Sequence, residues 1–350
     1  MPPDPMPNPI NSPVNIPQTL AGIGAQVLVR GWLSANNIVF AGHAGGPAGA
    51  GVVSTGGAST GVVDAGVADA CVVDTGYLSH AAQTVALVAN ALQGAPLARV
   101  VNTHLHSDHC GGNATLARHW PGLQISVPGG SRHRVLPWDE ALLSYRDAGQ
   151  QCEPFTAQHF LHDGDQITLG PRTWQVYAAP GHDPDAVLLF EPTSRTLISG
   201  DALWEKRLAI IFPELSDQPG FDAAHQALDL IEWLQPQLVL PGHGQPFTGV
   251  AAALDASRQR LRAFANAPIK HRQHAARALV SYHMLEHRAR AEADLIAWML
   301  VTPVFGRALQ CSHDPLLAQA LAGETVDRLV ADGVLLRQGG QVLLADGMAT

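Results

Sequence analysis

Between Thr103 and Gly112 the chain reads THLHSDHCGG, which sets three histidines and an aspartate within six consecutive positions. Imidazole and carboxylate carry polar atoms that need partners once they leave water, so a soluble protein gains no packing from such a cluster. A bound cation answers that need. In HLHSDH the alternate positions His104 and His106 project to one side of an extended strand end, while Asp108 and His109 lie on the turn that follows. Neutral imidazole is the commonest zinc ligand and carboxylate its natural hard partner, so the set suits two divalent metal ions held side by side. Zinc is the default; His/carboxylate sets also take iron or manganese. One short segment cannot complete both coordination shells, and the distant His182, Asp201 and His243 supply the rest.

The elements that hold these residues follow from hydrophobic periodicity. After Ala21, the apolar runs QVLVRGW, NNIVFAG and ACVVDTG, bounded by glycine, read as strands. Residues 44 to 70, small and low in complexity, read as a flexible loop between two hairpin strands, with a mobile flap over the site as the functional alternative. SHAAQTVALVANALQG predicts a helix capped by Ser79 and stopped by Gly94, NATLARHW a second, and WDEALLSYRDAGQ, from Trp138 to Gln150, a third. GDQITLG, TWQVYAAP, AVLLFEP and RTLISGD predict four strands. Asp222 caps a helix carrying Ala224, Leu228, Ile231 and Leu234, and QLVLPGHG closes the series as a strand. His104, His182, Asp201 and His243 thus each follow a strand, where loops carry chemistry on a rigid frame.

At 350 residues, with 46% hydrophobic and 15% charged residues, the chain is long enough for one large core and a second small one. The expected division is a loose Pro-rich leader over 1–20, whose prolines forbid a helix, a catalytic domain over 21–255, and a helical module over 256–350. In that last part ARALVSYHMLEHR, EADLIAWML and PLLAQALAGETVDRLVADG read as helices, and VLLRQ and QVLLAD flank Gly339 and Gly340 as a hairpin, a winged-helix-like order. Residues 1–255 hold 10 Lys+Arg against 22 Asp+Glu, which argues against a general nucleic-acid binder; residues 256–350 hold 11 against 8. Arg258, Arg260, Arg262, Lys270, Arg272, Arg277, Arg288 and Arg290 read as solvated helix faces. Cys71, Cys110, Cys152 and Cys311 show no CxxC or secreted-scaffold spacing, the start of the chain lacks a signal-peptide pattern, and no run reaches the roughly 18 apolar residues of a membrane span. The expectation is a cytoplasmic protein with no membrane association; a homodimer is compatible with the sequence.

The arrangement resembles the metallo-β-lactamase superfamily. Its first motif, HxHxDH, is present as His104, His106, Asp108 and His109, followed by Gly111 and Gly112. Its later elements come in order as PGHD (His182), SGD (Asp201) and PGHG (His243), so that the resemblance spans roughly residues 21 to 250. It implies an α/β fold, the αββα sandwich of that family, with the small helical C-terminal domain appended. It implies that His104, His106 and His182 bind the first ion, that Asp108, His109 and His243 bind the second, and that Asp201 bridges. Carboxylate rather than Cys at position 201 looks like the glyoxalase II, lactonase and nuclease branches, not the best-known zinc β-lactamases.

The function expected is a dinuclear metal-dependent hydrolase acting on a small-molecule ester, thioester or lactone. A metal-bridging hydroxide, formed because the ions lower the pKa of a bound water towards ~7, attacks the carbonyl. Asp108 holds the nucleophile's proton and passes it to the leaving group. Two other readings stay open: a phosphodiesterase or ribonuclease, for which the basic segment speaks, and a non-catalytic metal-binding regulatory protein. Among the remaining residues, Asp74 reads as organising the loop under the metals through backbone hydrogen bonds. Asp183 either orients His182 or turns outward. Cys110 reads as a buried small hydrophobe, Asp163 and Asp165 as turn residues, and Trp138, Tyr145 and Trp204 as core or pocket lining, Trp204 foremost for the pocket.

Overall fold

Runs such as CVV, VLLFE and LVLP offer no polar face, so they must be covered on both sides. The computed structural model, which describes residues 14–42 and 69–345, covers them in four layers. Strands β1 (Ala25–Leu28), β2 (Asn37–Phe40), β3 (Cys71–Val73), β4 (Arg99–Val101), β5 (Gln124–Pro128) and β6 (His159–Leu161) form one sheet in that order, antiparallel up to β3 and parallel from there. Strands β7 (Gln166–Leu169), β8 (Arg172–Ala178), β9 (Val187–Glu191), β10 (Thr196–Gly200) and β11 (Leu238–Pro241) form the second, in the order β11-β10-β9-β8-β7, antiparallel except for β10 with β11.

The period of two sorts the side chains between layers. Ile38, Phe40, Val73 and Val101 of the first sheet meet Trp174, Val187, Leu189, Ile198 and Leu240 of the second. Their neighbours Val39, Val72 and Val100 face the other way, onto Val88 and Leu116 of the helices Ala81–Ala91 and Asn113–His119. Leu188, Phe190, Leu197 and Val239 likewise face Leu228 and Ile231 of the helix Phe221–Leu234. The result is the expected αββα sandwich. A third core joins the helices Pro268–His287, Glu292–Val301, Pro303–Ala308 and Pro315–Ala331 to a three-stranded antiparallel sheet of β12 (Ala289–Ala291), β13 (Leu335–Gln338) and β14 (Gln341–Leu344), in the order β12-β14-β13. No helix among the described residues is long and apolar enough to cross a membrane.

Several local expectations are corrected. A helix, Ile16–Ile23, occupies the end of the leader: Pro17 sits in its first turn, where no amide donor is needed, and Asn15 caps Gln18. Residues 1–13, and all but the last two residues of the expected 44–70 loop or flap, lie outside the described residues. The stretch Trp138–Gln150 is not one helix. Asp139 caps a single turn, Glu140–Leu143, and Ser144 turns left-handed at φ 63° so that Tyr145 reaches the core and donates to the Leu105 carbonyl. Ser79 lies in a 3-10 turn and makes no cap, and Asp222 lies inside the first turn behind Gly220. The three-residue strands β6 and β12 have no sequence signal. The helix Val250–Asn266 runs through position 255, with Leu254 and Leu261 packed on the second sheet's outer layer.

The basic helix face is also not uniformly solvated. Arg258 pairs with Asp229 and Glu232 at 2.6 and 2.8 Å, and Arg272 with Asp217 at 2.5 Å, which ties the C-terminal helices to the sandwich.

Candidate metal centre

Four strand ends deliver the chemistry to one place. His104 follows β4, His182 follows β8, Asp201 follows β10 and His243 follows β11; Asp108 and His109 ride on the single turn Ser107–Cys110, with His106 just before it. All seven residues singled out from the sequence converge. The donor atoms of His104, His106 and His182 form one group, and those of Asp108, His109, Asp201 and His243 another, each within 4.8 Å of one another. His106 Nδ1 lies 3.1 Å from His104 Nε2 and 2.8 Å from His182 Nε2. Asp108 Oδ2 lies 3.0 Å from His243 Nε2. Asp201 Oδ1 lies 3.3 Å from His109 Nε2, and its Oδ2 lies 3.5 and 3.8 Å from His182 and His243. One carboxylate therefore faces both groups.

Surrounding hydrogen bonds fix which ring nitrogens face inward. His182 donates Nδ1–H to the Ile210 carbonyl at 2.6 Å, which leaves a lone pair on Nε2. His109 Nδ1 meets Asp74 Oδ2 at 2.8 Å, so its Nε2 lone pair points at the Asp201 and Asp108 carboxylates; that nitrogen is buried and no hydrogen bond reaches it. A positive charge, a proton or a metal ion, belongs between that nitrogen and the two carboxylates, and the donor set of imidazoles and carboxylates fits a divalent pair.

The electrostatics agree. Burial holds His104 well below its ordinary value, and burial with the neighbouring His182 brings His106 down to about 4, so both rings stay neutral near pH 7. Burial opposes charge on Asp201 as well, yet His109 and His243 hold it well below the carboxylate range. Against the same burial, Asp201, Asp74 and Asp108 raise His109 well above the usual imidazole value, marking that spot as one that favours positive charge.

Asp74 does more than the sequence indicates: it accepts from the Thr103 amide and hydroxyl at 2.9 and 2.8 Å and also orients His109. Asp183 takes neither expected role. It is buried, accepts from the Asp185 amide and faces His106 Nε2 at 3.7 Å rather than His182. Trp204 donates Nε1–H to Asp201 at 3.0 Å and lines the cavity over the site, while Trp138 and Tyr145 pack with Phe155 in the core. Cys110 is fully buried and outside both donor groups.

Three contributors have no sequence signal. Trp32 stacks on His243 at 5.4 Å with planes 7° apart. The Ile210–Ile211 peptide group takes the His182 bond on its carbonyl and gives its N–H, at 3.0 Å, to Nε2 of His271 on the C-terminal helix Pro268–His287. That helix also walls the cavity, of about 600 Å³, whose lining includes His106, Asp108, His182, Asp201 and His243 together with Arg277 and Tyr282.

Comparison with known proteins agrees with this geometry. The chain is 35% identical over 116 residues to a hydroxyacylglutathione hydrolase of Acaryochloris marina, covering 32% of this chain and 38% of that one. It is 28% identical over 159 residues to the human acyl-coenzyme A thioesterase MBLAC2, covering 42% and 56%. The chain thus spans only part of the length of these relatives. The crystal structure of a metallo-beta-lactamase family protein from Thermus thermophilus superposes with a TM-score of 0.52 at 18% identity, over 92% of this chain and 98% of that one, and so shares its fold. The profile described as "Metallo-beta-lactamase superfamily" matches residues 53–243, more than half of the chain, and covers all seven converging residues: the chain belongs to the metallo-β-lactamase superfamily.

Proposed function

We propose that the chain is a metal-dependent hydrolase whose substrate is a small ester, thioester or lactone. His104, His106 and His182 hold one divalent ion, Asp108, His109 and His243 hold a second, and Asp201 serves both; zinc is the default, with iron or manganese also suited to the donors. The observation that carries this reading is the convergence of five imidazoles and two carboxylates, all buried but the half-buried His106, with His109 Nε2 aimed at Asp201 at 3.3 Å. The relatives named for hydroxyacylglutathione and acyl-coenzyme A hydrolysis support a thioester among the candidates.

When bound, such an ion pair makes a water acidic enough to ionise near ~pH 7 and polarises a carbonyl oxygen. The chain's own residues do the rest. Asp74 and the Ile210 carbonyl hold His109 and His182 in the tautomers that keep their Nε2 lone pairs inward. Trp204 fixes the Asp201 carboxylate by its N–H, and Trp32 covers His243 with an apolar ring that excludes water from that side. Asp108, on the cavity wall beside His243, is positioned to take a proton from the attacking water and deliver it to the leaving group. Residues of the C-terminal part between Arg260 and Leu344 wall the cavity and select the substrate.

Metal analysis of the purified protein, followed by hydrolysis assays over thioesters, lactones, aryl esters and bis-phosphodiesters, tests the reading. Asp201→Ala leaves the far-UV spectrum and melting cooperativity in place but lowers metal content and hydrolysis together. Unchanged turnover in that variant refutes the assignment of Asp201 to both ions.

A further inference from the structure

The cavity that holds the metal-centre residues is also lined by Arg207, from the loop after β10, Arg260, from the helix Val250–Asn266, and Arg277, from the helix Pro268–His287. Arg207 and Arg260 are exposed and Arg277 half-buried, whereas the metal-centre residues are buried apart from the half-buried His106, so the three guanidiniums stand at the mouth. Arg258, Arg272, Arg307 and Arg337 each have a carboxylate partner. Among the described residues, Arg207, Arg260 and Arg277 have none within 4.0 Å, Arg260 donating instead to the Lys206 carbonyl. The carboxylate at the same wall, Asp332, is paired with Arg328 at 3.1 Å. The three do act on one spot: burial first, then the charges of Arg277, Arg260 and Arg207, bring His274 down to about 4, and His274 lines the same cavity. Arg207 lies over the Trp32 ring at 4.5 Å, and Trp32 in turn stacks on His243, so a single indole separates the guanidinium from the metal centre.

From this juxtaposition we propose that Arg207, Arg260 and Arg277 form an anion-binding mouth that seats a phosphate or carboxylate of the substrate a short reach from the scissile carbonyl. The inference rests on the hydrolase reading above and narrows it to substrates that carry an oxyanion. Guanidiniums bind such groups bidentately, and three cations without counter-ions, set on a chain of net charge -9, concentrate the field where the substrate enters. Trp32 supports Arg207 through its ring face and holds the guanidinium edge free for the ligand.

The test uses the full-length, metal-loaded protein and thioesters of one acyl group with four leaving groups: N-acetylcysteamine (uncharged), 3-mercaptopropionate, glutathione and coenzyme A. The expected result is a kcat/KM at least about tenfold higher for a charged leaving group than for the uncharged one, equivalent to about 1.4 kcal/mol, carried by KM and shrinking with added salt. The carboxylate and phosphate arms tell the two sources apart. Arg277→Met lowers the charged-to-uncharged ratio about tenfold through KM, and Arg277→Lys restores part of it. In parallel, inorganic phosphate titrated against tryptophan fluorescence binds the metal-loaded wild type and about tenfold more weakly the Arg277→Met form. Phosphate binding that depends on Arg277 without turnover of any ester keeps the anion site and sinks the hydrolase reading. Equal rates with charged and uncharged leaving groups, or RNA cleaved faster than every thioester, overturn the proposal.

Discussion

Replacing Asp74 by Asn acts first on the orientation of one imidazole, His109. Asp74 is 3% exposed and serves three donors: the Thr103 amide at 2.9 Å, the Thr103 hydroxyl at 2.8 Å and His109 Nδ1 at 2.8 Å. Its backbone is left-handed at φ 57°, a conformation Asn tolerates better than Ala, so the substitution keeps shape and backbone while removing charge and half of the acceptor capacity. With its oxygen held by the Thr103 amide, the new amide nitrogen faces His109 Nδ1. The ring then switches tautomer and places its proton on Nε2, the atom aimed at Asp201. Loss of such an orienting partner lowers metal affinity by about 10–100-fold, or about 1.4–2.8 kcal/mol. The effect falls first on the group of Asp108, His109, Asp201 and His243, which Asp74 touches directly through His109, and reaches His104 only through the Thr103 hydroxyl, 3.1 Å from His104 Nδ1. Metal content measured after equilibration at buffered free zinc reads it: the variant retains about one ion per chain at a concentration that fills both sites in the wild type. Two ions bound with unchanged affinity refute the argument that Asp74 sets the His109 tautomer.

Further outcomes follow from other contacts. A Cβ added at Gly242 stands 2.2 Å from Asp201 Oδ1 and 2.8 Å from His109 Cε1, so Gly242→Ala displaces the shared carboxylate; metal content falls while the secondary-structure spectrum is retained, and full metal loading counts against that crowding. Trp204→Phe removes the 3.0 Å bond to Asp201 and lowers kcat/KM by about tenfold, the worth of one hydrogen bond to a charged group, with the metal-to-protein ratio as the control. Acid weakens the C-terminal core. Burial brings His271 down to about 4 and His283 to about 3, from 6.5 in the unfolded chain, so their contribution is complete above pH 6.5 and is lost as pH falls towards those lower values. At pH 5 each costs about 2 kcal/mol at most. Urea unfolding between pH 7 and 5 measures the slope, and His283→Gln makes it shallower; a slope indifferent to that change contradicts the assignment.

The donors are legible because each sits in a short polar motif directly after an apolar strand, a pattern that depends on neighbours in sequence. The layer order follows from two-sided apolar runs such as CVV and LVLP. What escapes depends on distant partners. Trp32 lies on a strand-like run whose meaning comes only from its stacking on His243. Asp183 faces His106, from a different loop, instead of the adjacent His182. The apolar positions of WDEALLSYRDAGQ suit a helix, but Tyr145 reaching the Leu105 carbonyl decides against it. Arg258 and Arg272 read as solvent-facing because Asp229, Glu232 and Asp217 come from another part of the chain.

The peptide plane between Ile210 and Ile211 has a single orientation to give, and two histidines from separate parts of the chain depend on it. Trimming or grafting the C-terminal helices therefore reaches the metal centre as well as the entrance: without His271 the plane is released, and the ring of His182 swivels with it. Chimeras that exchange these helices between relatives keep their metal only when the junction carries the 210–211 linkage and its histidine together.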